Sequence, residues 1–335
     1  MFNQTLGRSL AGAAVAGAMA VFATASTAQA ETLKLAHWVP PAHTLTKSTV
    51  EPLKNGVEAE TSGGLTIDVY PGGELGKGPL EQYVRAVQGV ADIVWGLQGY
   101  TSSQFPKTMV SELPGVLPDG KAGYDIIWDA YDAGQLSSEF PGTVPLALWL
   151  SEPNIFIMKD RDIRKPEDLK GLKIRVSGSA AAAVIESLGA TPVQMPAGEI
   201  YNSLQTGLID GVVTGASAVA DFKLDEVANS YTIGAPLGRI SFYLVMNKAK
   251  YDSLSDDFKK AIDDNSGRKL SKSAEDGWNA KAAATVEALK ATGDNTVIEL
   301  SDDEIAAFGE ITVPVTQKIV QELGAGDVYA TMSGQ

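Results

Sequence analysis

The sequence predicts an α/β protein of two lobes, and three observations carry that reading. Its 335 residues suffice for two ordinary domains. Apolar types make up 44% and charged types 20%, which excludes disordered, collagen-like and coiled-coil chains. Short β-like runs alternate with helical stretches in two separate blocks, the pattern of βαβ units on a largely parallel sheet.

In the first block, extended runs at 33–37 and 65–70 flank a helix over 45–60, and a second helix over 79–88 leads into a strand at 91–95. The second block opens on Leu172-Lys173-Ile174-Arg175-Val176. An alanine-rich helix over 179–188, an extended piece at 191–194, a helix over 199–208 and a strand at 210–214 follow it. Residues 242–247 then read as a strand ending in a polar turn. Beyond them the chain is helical: Ser255 caps one helix, a long one covers 267–291, and Ser301 with Glu304 makes a capping box for the last pair. No repeat of fixed period, low-complexity tract or like-charge block interrupts this order.

Residues 1–30 have the layout of a cleaved secretory signal: Arg8, an apolar run over 10–25, then Ala28-Gln29-Ala30. Gly12, Gly17 and Thr24 break the run, which falls short of the roughly 20 strongly apolar residues that a bilayer span needs. The predicted location is the periplasm, because a eukaryotic secreted domain of this size would more often contain disulfides and this chain has no cysteine.

Composition also removes whole classes of function. A net charge of -14 leaves no cationic face able to neutralise several phosphates, so nucleic acid is not an expected partner. Without cysteine there is no thiolate nucleophile, zinc-thiolate cluster or iron–sulfur centre. His37 and His43 are the only histidines, and no His-Glu-x-x-His pair, Gly-x-Ser-x-Gly elbow or phosphate loop occurs. Gly76-Lys77-Gly78 lacks the third glycine of a dinucleotide fingerprint and reads as a turn. No catalytic residue or cofactor is therefore predicted. A secreted hydrolase or lyase using His43 with an acidic neighbour is the competing reading from another class.

In open α/β sheets a ligand lies beyond the carboxyl ends of the strands. Trp38 and His43 follow the first strand, Glu74 the second, and Trp95, Gln98 and Tyr100 close the third. Thr214 and Ser217 stand at the end of the strand at 210–214, and Arg239 precedes the one at 242–247. Arg175 is the most informative, since a guanidinium in a strand buried on both faces costs several kcal/mol unless paired. Its planar fork suits a carboxylate held through two parallel bonds, from a ligand or from the protein itself.

The stretch from Pro166-Glu167-Asp168-Leu169-Lys170-Gly171 to Arg175, with Leu188-Gly189-Ala190-Thr191-Pro192-Val193 and Leu204-Gln205-Thr206-Gly207-Leu208-Ile209-Asp210-Gly211, resembles a known family. It is the DctP-like solute-binding proteins of tripartite ATP-independent periplasmic (TRAP) transporters. Gly72-Gly73-Glu74-Leu75-Gly76 and Leu113-Pro114 extend the resemblance over essentially the whole mature chain. It implies a two-lobed periplasmic-binding-protein fold of type II character, with crossing hinge strands and a long helix spanning both lobes. The lobes expected are 31–152 plus 238–278, and 153–237 plus 279–330.

The resemblance makes Arg175 the clamp for a ligand carboxylate. Asn154 stands where some members carry another arginine, Arg239 where many have a small or aromatic residue, and Thr214-Gly215 where a metal-assisted branch has a Glu-Trp pair, so the resemblance implies no bound metal here. The expected partners are a small organic acid and the DctQ-like and DctM-like membrane subunits, with the receptor a monomer. An aromatic or apolar monocarboxylate is favoured over a C4 diacid, while a sulfonate or zwitterionic acid would suit two arginines. A module feeding a sensor kinase or chemoreceptor is the alternative output.

Overall fold

The computed structural model describes Met1 and residues 30–335; the predicted signal segment otherwise lies outside the described residues. Strands β1 (Glu31–Ala36), β2 (Leu65–Tyr70), β3 (Ile93–Leu97) and β4 (Thr143–Leu150) build one sheet. Strands β5 (Asn154–Met158), β6 (Lys173–Val176), β7 (Thr191–Gln194), β8 (Gly211–Gly215) and β9 (Ser230–Ile233) build a second. The chain then returns β10 (Ser241–Asn247) to the first sheet and β11 (Thr296–Glu299) to the second.

The strand orders are β2-β1-β3-β10-β4 and β11-β9-β5-β8-β6-β7. In each sheet the strand that arrives from the other lobe is antiparallel to both its neighbours: β10 to β3 and β4, β5 to β8 and β9. The remaining pairs are parallel.

Both sheets are covered on both faces, so their central strands read as continuous apolar runs whose side chains still alternate between two cores. Ile93, Trp95 and Leu97 enter one core of the first lobe, whereas Val94 enters the other. In β5, Phe156 and Met158 face one core of the second lobe, and Ile155 and Ile157 the opposite one.

Two crossing segments join the lobes and hold each other. Ser151 N donates to Ile240 O at 2.7 Å, and Asn154 N to Gly238 O at 3.0 Å. Gly238 has φ of +73°, and a Cβ there would lie 1.8 Å from Glu112 O, so no other residue fits where this crossing passes over the first lobe. The third connection is the helix Gly267–Thr292, whose Leu270, Ala274 and Trp278 pack in the first lobe and whose Ala282 and Leu289 pack in the second.

Several predicted elements change in detail. The helix expected over 45–60 begins with a wide turn at Thr46–Val50 before the regular helix Glu51–Glu60. Pro52 has no N–H for Ser48 O, and Ser273 Oγ of the long helix donates to that carbonyl instead, at 2.8 Å. The helices expected over 79–88 and 199–208 span only Gln82–Val87 and Ile200–Thr206, the latter ended by left-handed Gly207. The capping box forms as predicted, with Ser301 N donating to Glu304 Oε2 at 2.8 Å.

The lobe assignment of 279–330 needs correction at its end. Phe308 of the helix Asp302–Glu322 lies in the second lobe's core, but Val320 and then Val328 and Met332 of the helix Gly326–Ser333 pack with Phe105, Ile126 and Trp128 of the first. Apolar burial draws the chain's end back across the hinge.

Beneath that hinge, buried Glu112 accepts from Ser241 N at 2.9 Å and Ser241 Oγ at 2.6 Å through Oε1, while Oε2 has no partner. Burial pushes its carboxyl up to about 7. The folded state then binds the proton more tightly than the unfolded one. This group's contribution is therefore present at acid pH and is lost as pH rises from the unfolded value of 4.5 through about 7. The expected size is on the order of 3 kcal/mol. Chemical denaturation of wild type and Glu112→Gln between pH 5 and pH 8 should show the variant gaining on wild type as pH rises, and parallel curves would refute the assignment.

Candidate ligand-binding site between the lobes

A cavity of about 40 Å³ lies where the carboxyl ends of the strands face each other across the hinge. The first lobe supplies Trp38 and His43 from the loop after β1, Trp95 of β3, Tyr100 just beyond it, and Phe242 of β10. Trp278 of the long helix closes that side. From the second lobe come Arg175 of β6, Thr214 of β8, and Ser217, Asp221 and Phe222 of the short helical segment that follows.

The rings form a continuous stack. Trp38 lies 5.3 Å from Trp95 and 6.1 Å from Phe222, centroid to centroid, with planes within 21° and 18° of parallel. Trp95 continues to Phe242 at 5.7 Å. Such offset pairs contribute about 0.5 to 1.5 kcal/mol each beyond their burial. One ring of the run, Phe222, comes from the second lobe, so the stack itself spans the cleft.

Arg175 is only 1% exposed. Its Nε donates to Met195 O at 2.9 Å, and its Nη2 has no partner. Among the described residues the arginines that pair with carboxylates are Arg85, Arg164 and Arg268. Arg175 has no such ion pair, although the charge of Glu199 supports it. Burial lowers its pKa, and its nearest support is the Tyr100 hydroxyl. That hydroxyl accepts from Ala197 N at 2.8 Å, and burial raises its pKa, so it keeps a proton to donate. A guanidinium edge and a phenol thus converge on one point of a dry, ring-lined space.

His43 is pinned as a neutral tautomer. Its Nδ1 accepts from Leu45 N at 3.0 Å, which places the ring proton on Nε2, and burial pulls the ring down to about 3. The Nε2 atom lies 3.5 Å from Asp221 Oδ2 across the cleft.

The lobes are in contact around the cavity. Besides Tyr100 with Ala197, Ser179 N donates to Ser102 Oγ at 3.2 Å, and Gln194 Nε2 to Gly99 O at 3.3 Å.

Of the predicted site residues, Arg175, Trp38, His43, Trp95, Tyr100, Thr214 and Ser217 line this cavity. Gln98 is fully buried beside it with its amide unpaired, but does not line it. Glu74 is exposed in a turn outside it. Asn154 and Arg239 line a separate groove behind the crossing segments. There Asn154 Nδ2 donates to Leu237 O at 3.4 Å and Arg239 Nη1 to Ser151 O at 2.8 Å, with Glu275 and Glu152 the charges nearest the arginine. The expectation that Arg239 brings a second cation into the cleft is corrected for a simple reason. Ile240 faces the cavity, so its neighbour in extended chain faces away.

Asp221, Phe222, Phe242 and Trp278 were not singled out from the sequence. The strand-end rule that selected Thr214 reaches Asp221 and Phe222 if extended by one helical turn. Trp278, amid small and polar residues of a long helix, carried no signal.

Residues 35–323 match the model of bacterial extracellular solute-binding protein family 7, DctP. The chain belongs to this family. A TRAP solute-binding protein from Rhodoferax ferrireducens, solved with copurified benzoate, is 30% identical with a TM-score of 0.84, over 90% of this chain and 96% of that one. A marine metagenome TRAP solute-binding protein specific for aromatic acid ligands, solved with 3-hydroxybenzoate, is 28% identical with a TM-score of 0.84, over 90% and 97%. The C4-dicarboxylate-binding periplasmic protein of Rhodobacter capsulatus is 27% identical over 333 residues, 97% of this chain and 98% of that one. A solute-binding protein of Albidiferax ferrireducens is 28% identical over 206 residues, and that match spans 60% of its length. This DctP-family chain is a solute receptor rather than an enzyme, which sets aside the hydrolase or lyase reading of His43.

Proposed function

We propose that this chain is the periplasmic receptor of a TRAP transporter, that it captures an aromatic monocarboxylate, and that it delivers the solute to a small and a large membrane subunit. The observation that carries the reading is the buried guanidinium of Arg175, unpaired by any carboxylate, in a cavity walled by aromatic rings. Arg175 is the one cationic side chain lining that cavity, because His43 is neutral there. A second carboxylate would meet Asp221 instead of a cation, which argues against a C4 diacid. The structural relatives solved with benzoate and with 3-hydroxybenzoate support the same class.

For a ligand bound near micromolar the total is about -8 kcal/mol. The arginine clamp contributes a large part and ring stacking much of the rest. Lobe closure buries the ligand and creates a composite outer surface for the membrane partners to recognise. The expected charge of the chain after signal removal, -15, repels anions only within a screening length of about 8 Å, so the single arginine governs the cleft.

A thermal-shift series tests the class. Benzoate and other aromatic monocarboxylates should raise the melting temperature in a concentration-dependent way, while succinate and hexuronates should leave it unmoved. Stabilisation by succinate without any by benzoate would overturn the proposal.

A further inference from the structure

The aromatic-acid reading leaves one feature of the cavity without a role: a buried histidine and a buried carboxylate, one from each lobe, that almost meet. His43 is 5% exposed, and the side chains of the pair are 4% and 3% exposed. Their closest approach, 3.5 Å from Nε2 to Oδ2, is too long for a good hydrogen bond. The roles of the atoms are already assigned. His43 Nδ1 is occupied by Leu45 N–H, so Nε2–H is the free donor. Asp221 Oδ1 accepts from Thr44 N at 3.3 Å, which leaves Oδ2 as the free acceptor.

We propose that His43 and Asp221 form a subsite for a ring hydroxyl, whose O–H donates to Asp221 Oδ2 while its oxygen accepts from His43 Nε2–H. A hydroxyl supplies both roles from one atom; with about 2.8 Å to each partner and an open angle at its oxygen it needs the two roughly 4.5 Å apart, so His43 and Asp221 part by about 1 Å to admit it. This subsite rests on the aromatic-acid reading and narrows it to hydroxylated aromatic carboxylates.

The surroundings agree. Trp95, Phe222 and Trp278 pack around the imidazole at 5.5 to 5.8 Å, which fixes its plane and keeps water from competing. Burial raises the Asp221 carboxyl and lowers the His43 ring, and the charged group facing the pair from the long helix, Lys281, disfavours protonation of both. Because His43 belongs to the first lobe and Asp221 to the second, the hydroxyl also ties the lobes together. Recognition of the substituent and closure become one event.

The test is calorimetry with matched ligands: 3- and 4-hydroxybenzoate against 3- and 4-methylbenzoate, which have nearly the same shape and cannot make the bridge. One hydroxy isomer should bind at least tenfold tighter than its methyl counterpart, since the analogue strands two buried polar groups. The ratio, not the absolute affinity, should fall below about threefold in Asp221→Asn. His43→Phe should lower it in the same way and serves if the first variant does not fold. Methyl analogues binding as well as both hydroxy isomers, or a ratio unchanged in the variants, would overturn the subsite while leaving the aromatic-acid reading intact. If no benzoate of any kind binds wild type, that reading falls and the subsite with it.

Discussion

Arg175→Met should lower the affinity for benzoate by about 2 to 5 kcal/mol, thirtyfold to several thousandfold, while leaving the ligand-free protein as stable as wild type to within about 1 kcal/mol. The two halves of this expectation come from the same geometry. Nη2 has no protein partner, so its removal breaks no ion pair, and what is lost is the Nε bond to Met195 O and the support of the Tyr100 hydroxyl. An unpaired buried cation is a burden on the fold, and an apolar chain of similar length relieves it. The same cation is what a carboxylate entering the cleft would pair with, and losing it strands that anion in a dry site. Isothermal calorimetry and thermal denaturation on one preparation read both quantities. A variant that binds benzoate normally, or one that loses its fold, would show that the arginine serves the structure and not the ligand.

Gly178→Ala should weaken binding tenfold or more without unfolding either lobe. Gly178 sits in extended backbone with φ of -162°, so alanine meets no conformational strain there. Its added Cβ would lie 2.6 Å from Gly99 Cα and 2.7 Å from Gly99 O, both of them backbone atoms of the opposite lobe that cannot swing aside. The lobes must then stop short of contact. Tyr100 would be drawn from Ala197 N and Ser102 Oγ from Ser179 N, and the ring stack across the cleft would gap at Phe222. Small-angle scattering at saturating benzoate should show a larger radius of gyration than ligand-bound wild type, and stopped-flow release should be faster. Equal radii would mean that closure does not bring these two glycines together.

The α/β class, the second-lobe order from 172 to 214 and the capping box at Ser301 were legible because they rest on local rules that near neighbours satisfy. Strands β4 and β9 were not. Both are fully or mostly buried runs, and β4 contains Pro145, so neither shows the alternation that marks a half-exposed strand. β11 is a short edge strand paired only with β9, and its four residues carry too little pattern to declare themselves. The candidate site was legible to the extent that strand ends predicted it: seven of the proposed residues line the cavity.

By itself, the sequence determined that Arg175 would be buried in a strand and that the motif around Pro166 to Arg175 belonged to a solute receptor. Only the tertiary structure decided which charges meet. Arg239 turned away from the cleft to face Glu152 and Glu275, His43 met Asp221 of the other lobe, and the final helix returned to the first lobe. The physical reason is range. Periodicity and capping are settled within a few residues, whereas the partner of a buried charge is settled by which surfaces the hinge brings face to face.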